Sequence, residues 1–283
     1  MIRQITIIGT GLIGGSLALA LKKGGYSGRV LGCDRAGVAE KAKALGVVDE
    51  AVGDAREAVR GSQVVVLATP VGGILDLVER IGPVLDEGAI LTDVGSTKAE
   101  ICARAKSVFG DAVGRKFLPG HPMAGKERSG IEQADGGLYL GAVWLFTPYA
   151  DQKLDEGVVG EYVGLVRSVG ANVITMDPER HDLLCAWISH LPQMVAIALA
   201  GVLQDELAHE PDLPAVGGRA LREMTRIAAS PYSWWRDVAM TNTENLQQAL
   251  MKLEQRLGHI RENLRTAALR EEFDKANEFR RSE

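Results

Sequence analysis

Strand-like and helix-like runs alternate through the first part of this chain, and helical patterns alone fill the rest. The sequence therefore predicts an α/β fold, a mainly parallel sheet wrapped by helices, followed by an all-α domain. Short apolar runs at 3–8, 29–32, 63–68 and 89–92 are often β-branched and are bounded by Gly, Asp or Pro, as strands are. Between them, stretches at 12–23, 36–45 and 71–81 carry apolar residues at helical spacing. Such alternation needs crossover connections, hence parallel strands with helices on both faces. Two further β-like runs, 142–147 and 172–176, flank a helical stretch at 157–169 and are expected to extend the same sheet. Strand signals vanish beyond Asp177, which places the division between domains 1–176 and 177–283.

Composition narrows the class of protein. The 283 residues suffice for about two domains, and 46% of them are hydrophobic, enough for a sizeable core. The net charge of −5 is spread over interspersed signs, with no Lys/Arg block to suggest nucleic acid or a membrane surface. Uninterrupted apolar runs such as 63–69 fall far short of the roughly 20 residues that cross a bilayer. The N-terminus reads as a strand rather than a signal peptide. Cys33, Cys102 and Cys185 are scattered without a CxxC pair, which argues for reduced thiols in a cytoplasmic protein and against a zinc site. No metal site is expected. Near the end, Leu246, Leu250, Leu253, Leu257, Ile260 and Leu264 form an a/d seam of period 3.5. It has two readings, an internal packing stripe or a subunit interface about a two-fold axis.

The turn Gly9-Thr10-Gly11-Leu12-Ile13-Gly14 lies between the first strand and the first helix, the context that a GxGxxG run needs to signify a Rossmann-type dinucleotide-binding domain. The first glycine permits the turn, the second lets backbone approach the pyrophosphate, and the third lets helix and strand pack closely. Asp34 ends the second strand, where such folds place an acid on the ribose hydroxyls. A carboxylate there suits NAD and repels the 2′-phosphate of NADP, although the adjacent Arg35 softens the contrast. The other reading of Asp34 is a cap for the helix that follows. Thr69 and Pro70 end the third strand at the sheet edge facing the cofactor, or serve only as its terminator.

Two motifs compete for the chemistry. Asp93-Val94-Gly95-Ser96-Thr97-Lys98 follows a strand and enters a helix; Ser96 is a candidate for substrate contact, while Thr97 and Glu100 have the spacing of a capping box. His121, in His121-Pro122-Met123-Ala124-Gly125, is expected on a stiff loop, and an imidazole can accept a hydroxyl proton near neutral pH. Further on, helical geometry at about 100° per residue puts His181, Asp182, Ser189 and Gln193 within one arc, and His190 opposite His181. Pro192 should kink this helix.

The glycine fingerprint, the DVGSTK and HPMAGKERSG segments, His181-Asp182 through Ser189-His190-Leu191-Pro192 and Met224-Thr225-Arg226-Ile227-Ala228 together resemble the prephenate/arogenate dehydrogenase family, prephenate dehydrogenases most of all. The resemblance covers nearly the whole chain. It implies oxidative decarboxylation of a cyclohexadienyl substrate with hydride transfer to NAD, in tyrosine biosynthesis, and a helical C-terminal domain that forms a homodimer. It also implies that His121 receives the ring hydroxyl's proton, that Ser96 orients that hydroxyl, and that Arg226 holds the ring carboxylate. His181, Ser189 and Gln193 would contact substrate, while Glu127, Asp182 and Trp235 would shape or gate the pocket, Trp235 near or across the subunit interface. Read without the resemblance, Arg226 is a surface charge and Trp235 is packing beside Trp234.

Gln193 departs from the pattern, since prephenate-preferring members often carry histidine there. A neutral amide can bond either the keto acid of prephenate or the amino acid of arogenate, so arogenate remains an alternative substrate. Two more distant alternatives are weaker. A β-hydroxyacid or imine dehydrogenase would want a lysine in the helical domain, and none lies between Lys153 and Lys252. A non-catalytic NAD-binding protein has no use for His121, Ser96 and Arg226 together.

Overall fold

A computed structural model describes residues 1–282, so Glu283 of the second expected domain lies outside the described residues. The chain opens with β1 (Gln4–Ile8), α1 (Leu12–Lys23), β2 (Arg29–Cys33), α2 (Val38–Ala44), β3 (Glu50–Val52), α3 (Ala55–Ala58), β4 (Val64–Leu67) and α4 (Val71–Ile81). It continues with β5 (Ile90–Asp93), α5 (Ala99–Phe109), α6 (Val113–Lys116) and β6 (Phe117–Leu118). These six strands form one parallel sheet in the order β3-β2-β1-β4-β5-β6. The order reverses between β1 and β4, and open α/β sheets bind ligands in the crevice at the carboxyl ends of such a pair. All four residues of β4 are buried, Val64 and Val66 in the core on one face and Val65 and Leu67 in the core on the other. Burial on both faces is why this strand reads as a continuous apolar run.

The next strands depart from expectation. β7 (Gly120–Pro122), β8 (Val143–Phe146) and, after α7 (Gly157–Ser168), β9 (Asn172–Thr175) form a separate three-stranded sheet and do not extend the first. Pro119 is the physical reason: it has no N–H to donate, so the ladder started by β6 stops there. The chain then re-pairs, β7 running antiparallel to β8, and β8 parallel to β9. His121 therefore stands on a strand and not on a loop, opposite Leu145. The sheets touch at Gly120, where an added Cβ would lie 2.9 Å from the Asp93 carbonyl oxygen and 3.1 Å from the Trp144 indole nitrogen.

Helices make up the rest: α8 (Pro178–Cys185), one π turn (Ala186–His190), α9 (Leu191–Leu207), α10 (Leu213–Val216), α11 (Arg219–Thr225), α12 (Tyr232–Thr241), α13 (Thr243–Glu262) and α14 (Ala268–Ser282). The perturbation expected from Pro192 takes the form of that π turn, in which the Leu191 N–H reaches back to the Ala186 carbonyl. The extra residue rotates everything after it, so the 100° wheel does not hold across the turn. Leu184, Leu191 and Val195 are only half-buried.

The continuous helix Pro178–Leu207 is long and apolar enough to cross a bilayer by length and composition alone, with 28% of its most apolar window buried. Its polar residues are turned into the domain junction, where His181, Asp182, His190 and Gln193 are all buried. Leu183, Ile188, Ile197 and Val202 are left exposed. The a/d seam is split in the same way: on α13 Leu246 is buried and Leu257 exposed, and Leu264, expected in the same seam, falls in the turn beyond the helix and is exposed.

Candidate active site

The first half of the site is made of backbone. Gly9 has a φ of 99°, and a Cβ there would lie 2.4 Å from the Ala68 carbonyl oxygen, so only glycine lets the ends of β1 and β4 approach. A Cβ on Gly14 would lie 2.0 Å from the Gly9 carbonyl oxygen. Gly11, by contrast, has open space around it and stands as the N-cap of α1 with no side chain bonded to the helix end. An uncapped, glycine-edged helix start is a place for phosphate. Asp34 is not a helix cap. Its carboxylate accepts the N–H of Thr10 at 2.7 Å, the Thr10 hydroxyl at 3.2 Å and the N–H of Arg35 at 2.7 Å, which ties the end of β2 to the glycine turn. The Arg35 side chain is exposed. Gly11, Leu12, Ile13, Thr69, Pro70, Gly95 and Ser96 line one cavity, closed from the helical domain by Trp234 and Val238.

A second cleft opens beside it. Ser96, Trp234 and Val238 line both, so the two cavities adjoin at these residues. The second cleft is further lined by His121, Glu127, Ser189, Gln193, Arg226 and Trp235. Arg226 and Glu127 form an ion pair at 3.1 Å across its mouth, and the Gln193 amide nitrogen donates to the Ile227 carbonyl at 2.8 Å. The guanidinium of Arg226 and the carboxylate of Glu127 are partly exposed, so their pairing is weak and leaves Arg226 open to an incoming carboxylate. Trp235 stands edge-on to His190, ring centroids 5.9 Å apart. A further cleft, edged by Lys106, Arg115 and Lys153, includes none of these residues.

Two expected site residues are elsewhere. His181 and Asp182 do not line the cleft; they sit behind it, 0% and 2% exposed. His181 Nε2 is 2.8 Å from His121 Nδ1, and His181 Nδ1 is 2.8 Å from an Asp182 carboxylate oxygen. That carboxylate accepts the N–H groups of Lys98 at 2.7 Å and Ala99 at 2.9 Å, capping α5 from the other domain. The expected Thr97–Glu100 capping box does not form, because the helix end is already satisfied and the Thr97 hydroxyl pairs with that of Thr241. His190 is buried away from the cleft, bonded to Asn242.

Lys98, Asp93, Asp237 and Trp234 were passed over by sequence reasoning. Lys98 is fully buried, its ammonium ion-paired with Asp93 and donating to the Gly120 carbonyl at 2.8 Å. Asp93 also accepts the N–H of Gly95 at 2.8 Å and of Gly120 at 3.2 Å. One buried pair thus holds the strand end bearing Ser96 against the strand bearing His121. The acid and base five residues apart in Asp93–Lys98 were a usable signal. Asp237 accepts the N–H of Gly72 at 2.9 Å, capping α4 from the helical domain, and no local pattern announces it.

Electrostatics favour a neutral base. Burial above all, aided by the nearby Lys98 ammonium, holds the His121 imidazole well below its usual value, so it is unprotonated near neutrality. Burial likewise lowers His181, opposed by its bond to Asp182, and lowers His190 to about 4. His121, His181 and Cys185 offer three ligand-type atoms within 4.8 Å of one another. The 2.8 Å between the two ring nitrogens is a hydrogen-bond separation, whereas nitrogens sharing one tetrahedral zinc stand about 3.3 Å apart. Burial also raises the Cys185 thiol to about 12, which disfavours the thiolate a metal wants.

A six-stranded parallel sheet with an open glycine turn, a helical domain closing over it, and a neutral histidine in the cleft beside the glycine-turn cavity define a two-domain, dinucleotide-dependent dehydrogenase. Residues 17–175 match the prephenate dehydrogenase nucleotide-binding domain and residues 177–278 the prephenate dehydrogenase dimerization domain. The chain belongs to the prephenate dehydrogenase family. It is 34% identical to the prephenate dehydrogenase of Lactococcus lactis subsp. cremoris over 91% of this chain and 70% of that protein. It superposes on the prephenate dehydrogenase of A. aeolicus, solved with hydroxyphenyl propionate and NAD+, with a TM-score of 0.84 at 30% identity, covering 100% of this chain and 96% of that one. The arogenate dehydrogenase of Synechocystis matches with a TM-score of 0.77 at 27% identity, covering 99% of each chain. The chain is accordingly an oxidoreductase with a nucleotide-binding domain of that family.

Proposed function

We propose that this protein is an NAD-dependent prephenate dehydrogenase of tyrosine biosynthesis, converting prephenate to 4-hydroxyphenylpyruvate and CO2. The observation that carries the reading is the meeting of the two cavities at Ser96, with the neutral His121 on the substrate side. NAD, when bound along Gly9–Gly14, Asp34, Arg35, Thr69 and Pro70, supplies the hydride acceptor; the Asp34 carboxylate favours it over NADP. His121 accepts the proton of the ring hydroxyl, and Ser96 orients that hydroxyl. Arg226, leaving its partner Glu127, holds the ring carboxylate. Losing that group as CO2 aromatises the ring, so the protein need only position it. Ser189 and Gln193 contact the substrate, and Trp235 walls the cleft.

One observation favours a second substrate. One N–H of the Gln193 amide is given to Ile227, which leaves its carbonyl oxygen and its second N–H for the substrate side chain. The carbonyl oxygen accepts from the ammonium of arogenate, and the second N–H donates to a keto acid, so arogenate is expected to react as well. Mixing the protein with NAD and each substrate, and following reduced cofactor by absorbance, tests both statements. Turnover of neither, with NAD still binding, would overturn the reading; Gln193→His should raise selectivity for prephenate, and an unchanged kcat/KM ratio would reject that role for Gln193.

The bare apolar faces of α9 and α13, within the match to a dimerization domain, support a homodimer formed through the helical domain. A monomeric mass by light scattering at micromolar concentration would refute it. The domain division is proposed at 176/177, supported by the end of the last strand at Thr175 and the start of α8 at Pro178. A cytoplasmic location is proposed from the soluble biosynthetic character of its relatives and from three free, buried cysteines.

A further inference from the structure

The buried groups behind His121 are the least explained part of the site. Asp182 accepts two backbone N–H groups and has His181 Nδ1 at 2.8 Å. A carboxylate so placed has only lone pairs to offer, so the hydrogen on that contact belongs to His181 Nδ1. In a neutral imidazole the other nitrogen is then bare, so His181 Nε2 must accept, and the group facing it at 2.8 Å is His121 Nδ1. His121 Nδ1 therefore carries the hydrogen, which leaves Nε2 as the bare nitrogen of a ring that lines the substrate cleft. One carboxylate thus settles the tautomers of two rings in series.

We propose that His181 and Asp182 are positioning residues for the oxidation: a buried Asp182–His181–His121 relay that holds His121 with its Nε2 lone pair toward the substrate hydroxyl and supports the imidazolium formed there. In the reaction the hydroxyl O–H bond breaks, its proton bonds to His121 Nε2, and the electron pair left on oxygen forms the carbonyl as hydride departs to the nicotinamide. The cation on His121 then donates from Nδ1 to a neutral ring backed by a carboxylate. His181 is fully buried, so the proton does not leave through the relay; it returns from His121 Nε2 to the ring oxygen when loss of CO2 aromatises the ring to the phenol.

The other groups around His181 are accounted for. Lys98 is neutralised by Asp93, and the Cys185 sulfur, 3.5 Å from His181 Nε2, is a weak partner held as a thiol by burial. Asn242 fixes the Asp182 backbone by donating to its carbonyl at 2.7 Å. The proton arrangement is also consistent with burial, which keeps both rings neutral near pH 7.

This proposal rests on the reading of His121 as the base, and its test separates the two. His181→Leu removes the acceptor behind Nδ1 while keeping volume. It should lower kcat by about 10–100-fold, a part of the 10²–10⁴ that a general base supplies. KM for both substrates should stay near wild type, and the acid limb of the kcat/KM profile should move to lower pH as the imidazolium loses support. His181→Gln, whose carbonyl oxygen can accept from His121 Nδ1, should recover most of the loss. Unchanged kcat and pH profile in His181→Leu, or equal impairment of the two variants with no pH shift, would overturn the relay. Should the leucine variant fail to fold, ¹⁵N-histidine NMR of the intact protein decides. Nδ1–H on both rings supports the relay, and Nε2–H on His121 refutes it. Normal turnover of His121→Asn would instead sink the base assignment and leave the tautomer result standing.

Discussion

The two ends of the site are built in opposite ways. The cofactor end is a glycine turn read at close range, where Gly9, Gly11 and Gly14 act by lacking a side chain and fall within six consecutive residues. The proton end is made of long polar side chains brought together from β5, β7, α5 and α8, with Lys98 reaching Asp93 and His121 reaching His181 across 60 positions of sequence. Backbone can present a phosphate site because N–H groups at a helix start have fixed directions. A base needs a chosen tautomer and a dry surrounding, which only a folded interior supplies. The helix starts show the same contrast. α1 is left uncapped, whereas α4 and α5 are closed by Asp237 and Asp182 of the helical domain. The helical domain thus ties down the helix ends that flank the cofactor and leaves open the one that the phosphates need.

If the two ends are separable, His121→Asn should lower kcat by about 10²–10⁴ while leaving the NAD dissociation constant nearly unchanged. Equal loss of NAD binding, measured by fluorescence titration, would show that the ends are coupled. Lys98→Met leaves Asp93 buried without its cation, so thermal or denaturant unfolding should report about 3–5 kcal/mol of destabilisation. A loss under about 1 kcal/mol would mean that the pair is not what joins the Ser96 and His121 segments.

The histidines predict a pH effect of definite sign. His121, His181 and His190 are all lowered by burial, so below about 6.5 the unfolded chain takes up protons that the folded chain refuses. Stability should therefore be full above that pH and fall as pH drops, by up to ~1.4 kcal/mol per unit for each histidine, flattening for His190 near 4. A flat melting temperature between pH 7 and 5 would contradict the buried, neutral assignment. At the cofactor end the smallest change is expected: Asp34→Ala should weaken NAD by about 10-fold, the scale of a charged hydrogen bond, and narrow the preference over NADP. No change in that preference would free Asp34 from the role of selector.

Legibility followed the same division. The strands and helices around the glycine turn stand out because apolar period and turn residues are local signals, and α1 and α4 lie where the spacing puts them. The separate sheet of β7, β8 and β9 was not legible. An apolar run shows that a strand exists and not which strand it pairs with, and Pro119 decided that by withholding one N–H. His181 and Asp182 were legible as important and misplaced as pocket-lining, since a helical wheel gives the face of a side chain and not what stands opposite.

What the sequence determined by itself is the order of elements, the glycine turn with its acid at Asp34, and the presence of His121, Ser96 and Arg226 in segments apt for ligands. These follow from backbone sterics and short-range periodicity, which act between neighbours in the chain. What only the tertiary structure decided is the partnership of those residues: Ser96 between two cavities, Lys98 buried on Asp93, and Asp182 capping α5 while it orders the protons of His181 and His121. Those depend on distance and burial between segments far apart in the chain, which no local pattern encodes.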